Sequence, residues 1–320
     1  ALLACALFLS PLVRARSVAA ELPAQVERAF GSTPPASLPQ APSRAQPLSF
    51  GDLFGLGAPP ELQVSSHVYR QEPASLSLDL YLRAEGPRPA PVVIQIHGGS
   101  WSGGDNTQLP GINRYLAARG YAVAAISYRL VPDYTFPAPL EDVRAAIAWV
   151  KAEGPALGLD PSRIVLMGRS AGGHLALLAG YDSPDPAVRG VVAYYPPTDM
   201  VWSWEHPADT WVYDSHGVLR AFFEGDPSTQ PETYQAASPL EFTTASSPPT
   251  LLVHGGRDEL VFEAQSERLA KRLTELGVAN LHLSLPWASH GCDANMAGPS
   301  GQLSVYAIER FLASVTPPGS

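Results

Sequence analysis

Apolar residues recur at every second position in Leu76, Leu78, Leu80 and Leu82, with Ser77, Asp79 and Tyr81 between them. That period predicts a half-buried antiparallel strand, and residues 64–69 make a plausible partner. Further along come segments at 92–96, 122–126, 164–167, 191–195, 250–253 and 281–285, most of them short, near-continuous apolar runs. Strands covered on both faces by helices read this way. Helical stretches lie between them at 137–153, 172–180, 262–276 and 302–313. The alternation predicts an α/β fold with a mostly parallel central sheet flanked by helices and antiparallel N-terminal strands. The domain is expected to span residues 63–316, with a cap insertion at about 196–238.

Ahead of it the pattern is different. The opening run Ala-Leu-Leu-Ala-Cys-Ala-Leu-Phe-Leu-Ser-Pro-Leu-Val is uncharged and is followed by Arg14 and Arg16. A membrane span needs about 20 apolar residues, so the run is too short as it stands. Three readings compete for residues 1–30: the tail of a transmembrane helix, a signal-peptide remnant, or an amphipathic helix packed on the domain. The first is favoured here, which makes the chain membrane-associated. Seven prolines then fall within 31–60, and residues 31–62 read as an extended linker. Residues 1–60 are thus expected to be a tether outside the catalytic core.

Composition narrows the function classes. The chain of 320 residues is 45% hydrophobic and 16% charged, enough apolar material for a large core. Its net charge of −9 supplies no basic stripe to neutralise phosphates, which argues against nucleic acid as a partner. Two cysteines, Cys5 and Cys292, cannot build a disulfide framework or a thiolate zinc site.

The chemistry concentrates in Gly168-Arg169-Ser170-Ala171-Gly172-Gly173-His174, which lies between a strand and a helix. Gly-x-Ser-x-Gly in that setting is a nucleophile elbow: a tight turn exposes the serine, and small neighbours avoid the crossing backbone. His97-Gly98-Gly99-Ser100-Trp101 ends an earlier strand. The N–H groups of Gly99 and Ser100, with that of Ala171, are candidates for an oxyanion hole. A serine needs a base and the base an orienting acid. His290, in a small-residue loop after the last strand, is the candidate base. Asp258, after the run at 250–253, is the candidate acid and is preferred over its neighbour Glu259. His97, Tyr128, Arg129 and Asp142 read as structural hydrogen-bonding residues. Trp101, Trp202, Trp204 and Trp211 are candidates to line a substrate pocket, the last three from the insertion. His206, His216, Asp199, Asp209 and Asp214 lack zinc-like spacing, so no metal is expected. No phosphate loop or dinucleotide fingerprint appears, so no cofactor is expected either.

These motifs, together with Ser127-Tyr128-Arg129-Leu130 and Phe136-Pro-Ala-Pro-Leu-Glu-Asp142, resemble the α/β-hydrolase superfamily. Within it the chain is similar to hormone-sensitive-lipase-like and feruloyl/acetyl-xylan-esterase-like carboxylesterases. The order Ser170, Asp258, His290 is that of the fold. The lipase-like branch has a third glycine where this chain has Ser100; the variant His-Gly-Gly-x-Trp resembles arylformamidases as well as the xylan-esterase-like branch. The resemblance implies a cofactor-free serine carboxylesterase acting on a small-molecule ester, expected to prefer short acyl groups. An arylformamidase with the same triad and an inactive binding scaffold are the alternatives. Oligomeric state is not legible.

Overall fold

The computed structural model describes residues 2–32, 44–54, 61–86 and 88–317. Its centre is one eight-stranded sheet: β1 (Leu62–Arg70), β2 (Leu76–Arg83), β3 (Ala90–Ile96), β4 (Ala122–Ile126), β5 (Leu159–Arg169), β6 (Val188–Tyr194), β7 (Thr250–Gly255) and β8 (Asn280–Leu285). The order is β1-β2-β4-β3-β5-β6-β7-β8. β2 runs antiparallel to both its neighbours, and every other pairing is parallel. This is the α/β-hydrolase architecture the motifs imply.

Alternate residues of each strand feed opposite cores, because successive side chains point to opposite faces. Val92, Ile94, Ile96, Ile164 and Leu166 pack under α3 (Ala138–Glu153), α4 (Ala171–Tyr181) and α8 (Ala264–Glu275). Val93, Val123, Val165 and Met167 pack under α1 (Leu2–Phe30), α2 (Pro110–Ala117) and α9 (Pro299–Val315). Burial on both faces explains why these strands read as unbroken apolar runs. β2 keeps its alternation except at Tyr81, which is buried on the second face. The insertion after β6 contributes the short helices α5 (Met200–Glu205), α6 (Ser215–Phe223) and α7 (Pro231–Ala236).

The tether expectation needs correction over residues 15–30, while the side chains of residues 1–9, on which the membrane reading rests, lie outside the described residues. Ala15, Leu22 and Val26 of α1 are buried in the second core, and Phe30 meets Phe311 of α9 edge-on at 4.9 Å. Among the described residues no helix is long and apolar enough to cross a membrane. The linker expectation fails over residues 44–52 as well. The Arg44 N–H donates to Glu309 Oε2 (2.9 Å), its guanidinium donates to Gln302 Oε1 (2.6 Å), and it pairs with Asp52 (2.7 Å). Pro34, Pro35, Pro39, Pro42, Pro59 and Pro60 lie outside the described residues. Burying a Leu or Val side chain contributes about 1.5–3 kcal/mol, so deleting residues 1–30 should destabilise the domain by about 3–6 kcal/mol. A thermal melt measures this; an unchanged Tm would restore the tether.

Candidate active site

β5 passes into α4 through Ser170, whose φ of 52° and ψ of −121° few side chains adopt. Its N–H donates to Tyr194 O (2.9 Å), and its C=O accepts from the His174 N–H (3.0 Å), fixing the turn on both sides. The glycines flanking it are required by contact. A Cβ on Gly168 would stand 2.1 Å from Gly172 O, and one on Gly172 would stand 2.3 Å from the carbonyl oxygens of Ile96 and His97. Strain of this kind, about 1–3 kcal/mol, is held by the surrounding packing and presents Oγ at the head of α4.

Loops after β7 and β8 bring the partners. His290 Nδ1–H donates to Asp258 Oδ2 (2.7 Å), leaving Nε2 to accept from Ser170 Oγ–H (3.1 Å). Asp258 is buried, and Oδ1 accepts from the N–H groups of Leu260 (2.9 Å) and Val261 (3.0 Å). His254 stands behind the acid, fully buried. Its Nε2–H faces both Val261 O (2.8 Å) and Asp258 Oδ2 (3.3 Å), while Ser266 Oγ–H donates to Nδ1 (2.8 Å). Burial alone would push the Asp258 carboxyl up, but hydrogen bonds from His254, His290 and the Val261 N–H hold it well below the ordinary carboxylate range. The stability this confers is present above the ordinary pKa near 4 and is lost as pH falls toward the lower folded value. The rival Glu259 is exposed.

On the other side of Ser170 the chain makes three successive residues at positive φ: Gly99 (122°), Ser100 (56°) and Trp101 (56°). This loop abuts the elbow, since a Cβ on Gly98 would lie 3.0 Å from Arg169 O and 3.4 Å from Ser170 Cβ. The N–H groups of Gly99 and Ser100 find no acceptor among the described residues. Ala171 opens α4, where N–H groups have no partner in a preceding turn. The three candidate oxyanion donors are therefore free or helix-terminal N–H groups on the segments that adjoin Ser170.

Two pockets meet at Ser170. One lies beneath the insertion and is lined by Trp101, Trp202, His206, Val218, Leu219 and Phe262 among others. The second, more open, includes Leu109, Arg169, Tyr195 and His290. Ser100, Ser170, Tyr213, Leu260 and Val261 line both. Two of the four tryptophan candidates do not belong here. Trp211 is 96% exposed, and Trp204 packs on His216 and Tyr234 instead. Trp101 is nearly buried, stacked on Phe222 at 4.3 Å and donating to His174 Nδ1 (3.2 Å).

The residues read as structural occupy structural positions. Asp142 is fully buried and accepts from the Arg129 N–H (2.8 Å) and guanidinium (2.9 Å) and from Arg70 (2.6 Å). His97 stacks on Tyr128 at 4.1 Å, and burial lowers its pKa to about 4. Asp199 and Asp214 cap α5 and α6, and His206 and His216 bond the carbonyls of Trp202 and Trp204. Sequence reasoning missed a second network at the base. Arg169 Nε donates to Asp293 Oδ2 (2.7 Å), Tyr195 OH donates to Asp293 Oδ1, and the Tyr195 ring lies 4.3 Å from His290. It also missed Tyr213, Leu109 and the Leu260–Phe262 turn. His254 was visible, at four residues from Asp258 in one motif, but nothing in the spacing showed that it touches the acid.

Comparison with known proteins places this geometry. Residues 78–273, more than half of the chain, match the BD-FAE family model. Esterase LipC of Mycobacterium tuberculosis is 33% identical over 266 residues, covering 78% of this chain and 64% of LipC. Esterase LipQ of the same organism is 32% identical over 253 residues, covering 74% of this chain and 59% of LipQ. The chain thus spans less than two-thirds of the length of either relative. Among solved structures, a bacterial heroin esterase matches with a TM-score of 0.68 at 26% identity, over 80% of this chain and 84% of that one. Carboxyl esterase 2 of the mycorrhizal fungus Tuber melanosporum matches with a TM-score of 0.69 at 26% identity, over 82% and 90%.

Proposed function

Because the chain belongs to the BD-FAE family, on the α/β-hydrolase fold, we propose that it is a serine carboxylesterase working through an acyl-enzyme on Ser170. One observation carries this reading: the unbroken chain Ser170 Oγ–H to His290 Nε2, His290 Nδ1–H to Asp258, at a strained elbow facing unpaired N–H groups. Ser170 Oγ attacks the ester carbonyl carbon as its proton passes to His290. The N–H groups of Gly99, Ser100 and Ala171 receive the developing oxyanion. Collapse breaks the bond to the alcohol oxygen, which takes the proton from His290 and leaves. Water then enters, gives a proton to His290 and attacks the acyl carbon; Ser170 recovers that proton as the carboxylic acid departs.

The leaving oxygen must reach His290 Nε2, and this orients the substrate. His290 lines the open pocket and not the one beneath the insertion. The alcohol is therefore assigned to the open side, near Leu109 and Tyr195, and the acyl group to the pocket closed by Trp202, His206 and Phe262. Each methylene buried there contributes about 0.8 kcal/mol until the wall is met. Beyond it, a misplacement of about 1 Å costs about 100-fold in rate. The optimum is expected at about two to six acyl carbons, because bulky Trp202 and Phe262 wall the pocket. A panel of p-nitrophenyl esters of increasing chain length, aryl acetates, feruloyl esters and N-formylkynurenine tests both points. A peak at twelve carbons or more would refute the acyl assignment. Preference for N-formylkynurenine over every ester would replace the esterase with an arylformamidase.

A further inference from the structure

The loop at residues 206–214, between α5 and α6, projects from the insertion, with Trp211 96% and Val212 54% exposed at its tip. Its internal bonds are its own: Tyr213 N–H donates to Asp209 O (2.9 Å), and Trp211 N–H donates to Asp209 Oδ1 (3.0 Å). Among the described residues, one hydrogen bond joins this loop to the catalytic body, between Tyr213 OH and Ser100 Oγ at 2.5 Å. Its far end is thus the residue whose N–H is a candidate oxyanion donor. Ser100 sits at positive φ, and so do the residues before and after it. Gly99 O accepts from the Ser102 and Gly103 N–H groups, and Trp101 O accepts from the Val131 N–H. Among the described residues the Ser100 peptide has no such bond, which leaves its side chain to hold a strained backbone in place. Tyr213 also lines both pockets beside Ser170, as do Ser100, Leu260 and Val261. Burial raises the pKa of its phenol, which therefore remains a neutral hydroxyl able to donate or accept.

We propose that Tyr213 is a positioning residue for the oxyanion loop, its hydroxyl latching Ser100 from the insertion while its ring divides the acyl pocket from the alcohol pocket. The latch couples the insertion to catalysis: when the 206–214 loop is seated, the Gly99 and Ser100 N–H groups are held for the transition state. This inference rests on the esterase reading of the site. A glycine in place of Ser100 could not form the latch, since the bond is made by Ser100 Oγ.

Tyr213→Phe removes the hydroxyl and keeps the ring. It should lower kcat on p-nitrophenyl acetate by about 10- to 100-fold with KM nearly unchanged, less than the roughly 100- to 1,000-fold loss when an oxyanion donor itself is removed. Ser100→Ala should cause a similar fall. The double variant should be no slower than the worse single one, because both changes delete the same bond. Tyr213→Ala should in addition move the acyl-chain optimum toward longer groups, by opening the divider. Phosphonylation of Ser170 by a p-nitrophenyl phosphonate should slow in parallel with kcat, since it generates charge in the same hole. Native kcat in Tyr213→Phe, losses that multiply in the double variant, or an effect confined to KM would overturn the latch and leave the esterase intact. A native chain that neither hydrolyses the ester nor takes the phosphonate would overturn both.

Discussion

Ser170→Ala should lower kcat for p-nitrophenyl acetate by about 10⁶-fold, while the chain unfolds at nearly the native temperature. The size of the loss follows from the site's dependence on one covalent intermediate. Without Oγ, His290 has no nucleophile to activate, and the remaining N–H groups can polarise a carbonyl only for water, a residual of about 10³-fold over solution. Stability should change little because Oγ makes a single side-chain hydrogen bond, to His290, and alanine meets the same backbone strain at φ of 52°. Steady-state kinetics and a thermal melt on one preparation measure both. Activity within tenfold of native would remove Ser170 from the mechanism.

Asp258→Asn should cost about 10⁴-fold in kcat with little change in KM. The carboxylate accepts from His290, His254 and two backbone N–H groups. An amide cannot accept from all four, and one that turns its NH₂ toward His290 forces the ring proton onto Nε2. That nitrogen then cannot take the serine's proton. Glu259→Gln is the matched control: its side chain is exposed, and kcat should stay within about twofold, the usual range for a surface change away from the site. Equal losses in the two variants would contradict the assignment of the acid.

The parts of the molecule legible in the sequence share a physical basis. All eight strands were visible because most are buried on both faces, and β2 because its leucines alternate. The elbow and the His-Gly-Gly loop were legible because the backbone accepts no side chain at Gly168 or Gly172 in the first, nor at Gly99 in the second, so the constraint is written into residue identity. The helix α2 was missed, although Pro110 stands at its first turn, a recognised start signal. The short helices of the insertion show no sustained period, which is why their tryptophans could not be sorted. Trp202 faces the pocket, whereas Trp211 faces away. The N-terminal segment misled for a different reason. Residues 15–30 and the prolines after them look alike whether the segment packs on a core or leaves it, and contacts with distant α9 decide the matter over 15–30 and at Arg44. Tyr213, Asp293 and the acid-binding role of His254 depend on such long-range contacts, which local pattern does not encode.

The central claim, an acyl-enzyme on Ser170, is tested most directly by covalent labelling. The native chain is incubated with a p-nitrophenyl alkylphosphonate, digested, and its peptides are mapped by mass spectrometry. The predicted result is one stoichiometric phosphonyl adduct on Ser170, absent from Ser170→Ala and formed far more slowly in Asp258→Asn. An adduct on another residue, or none while esters are still hydrolysed, would contradict the account.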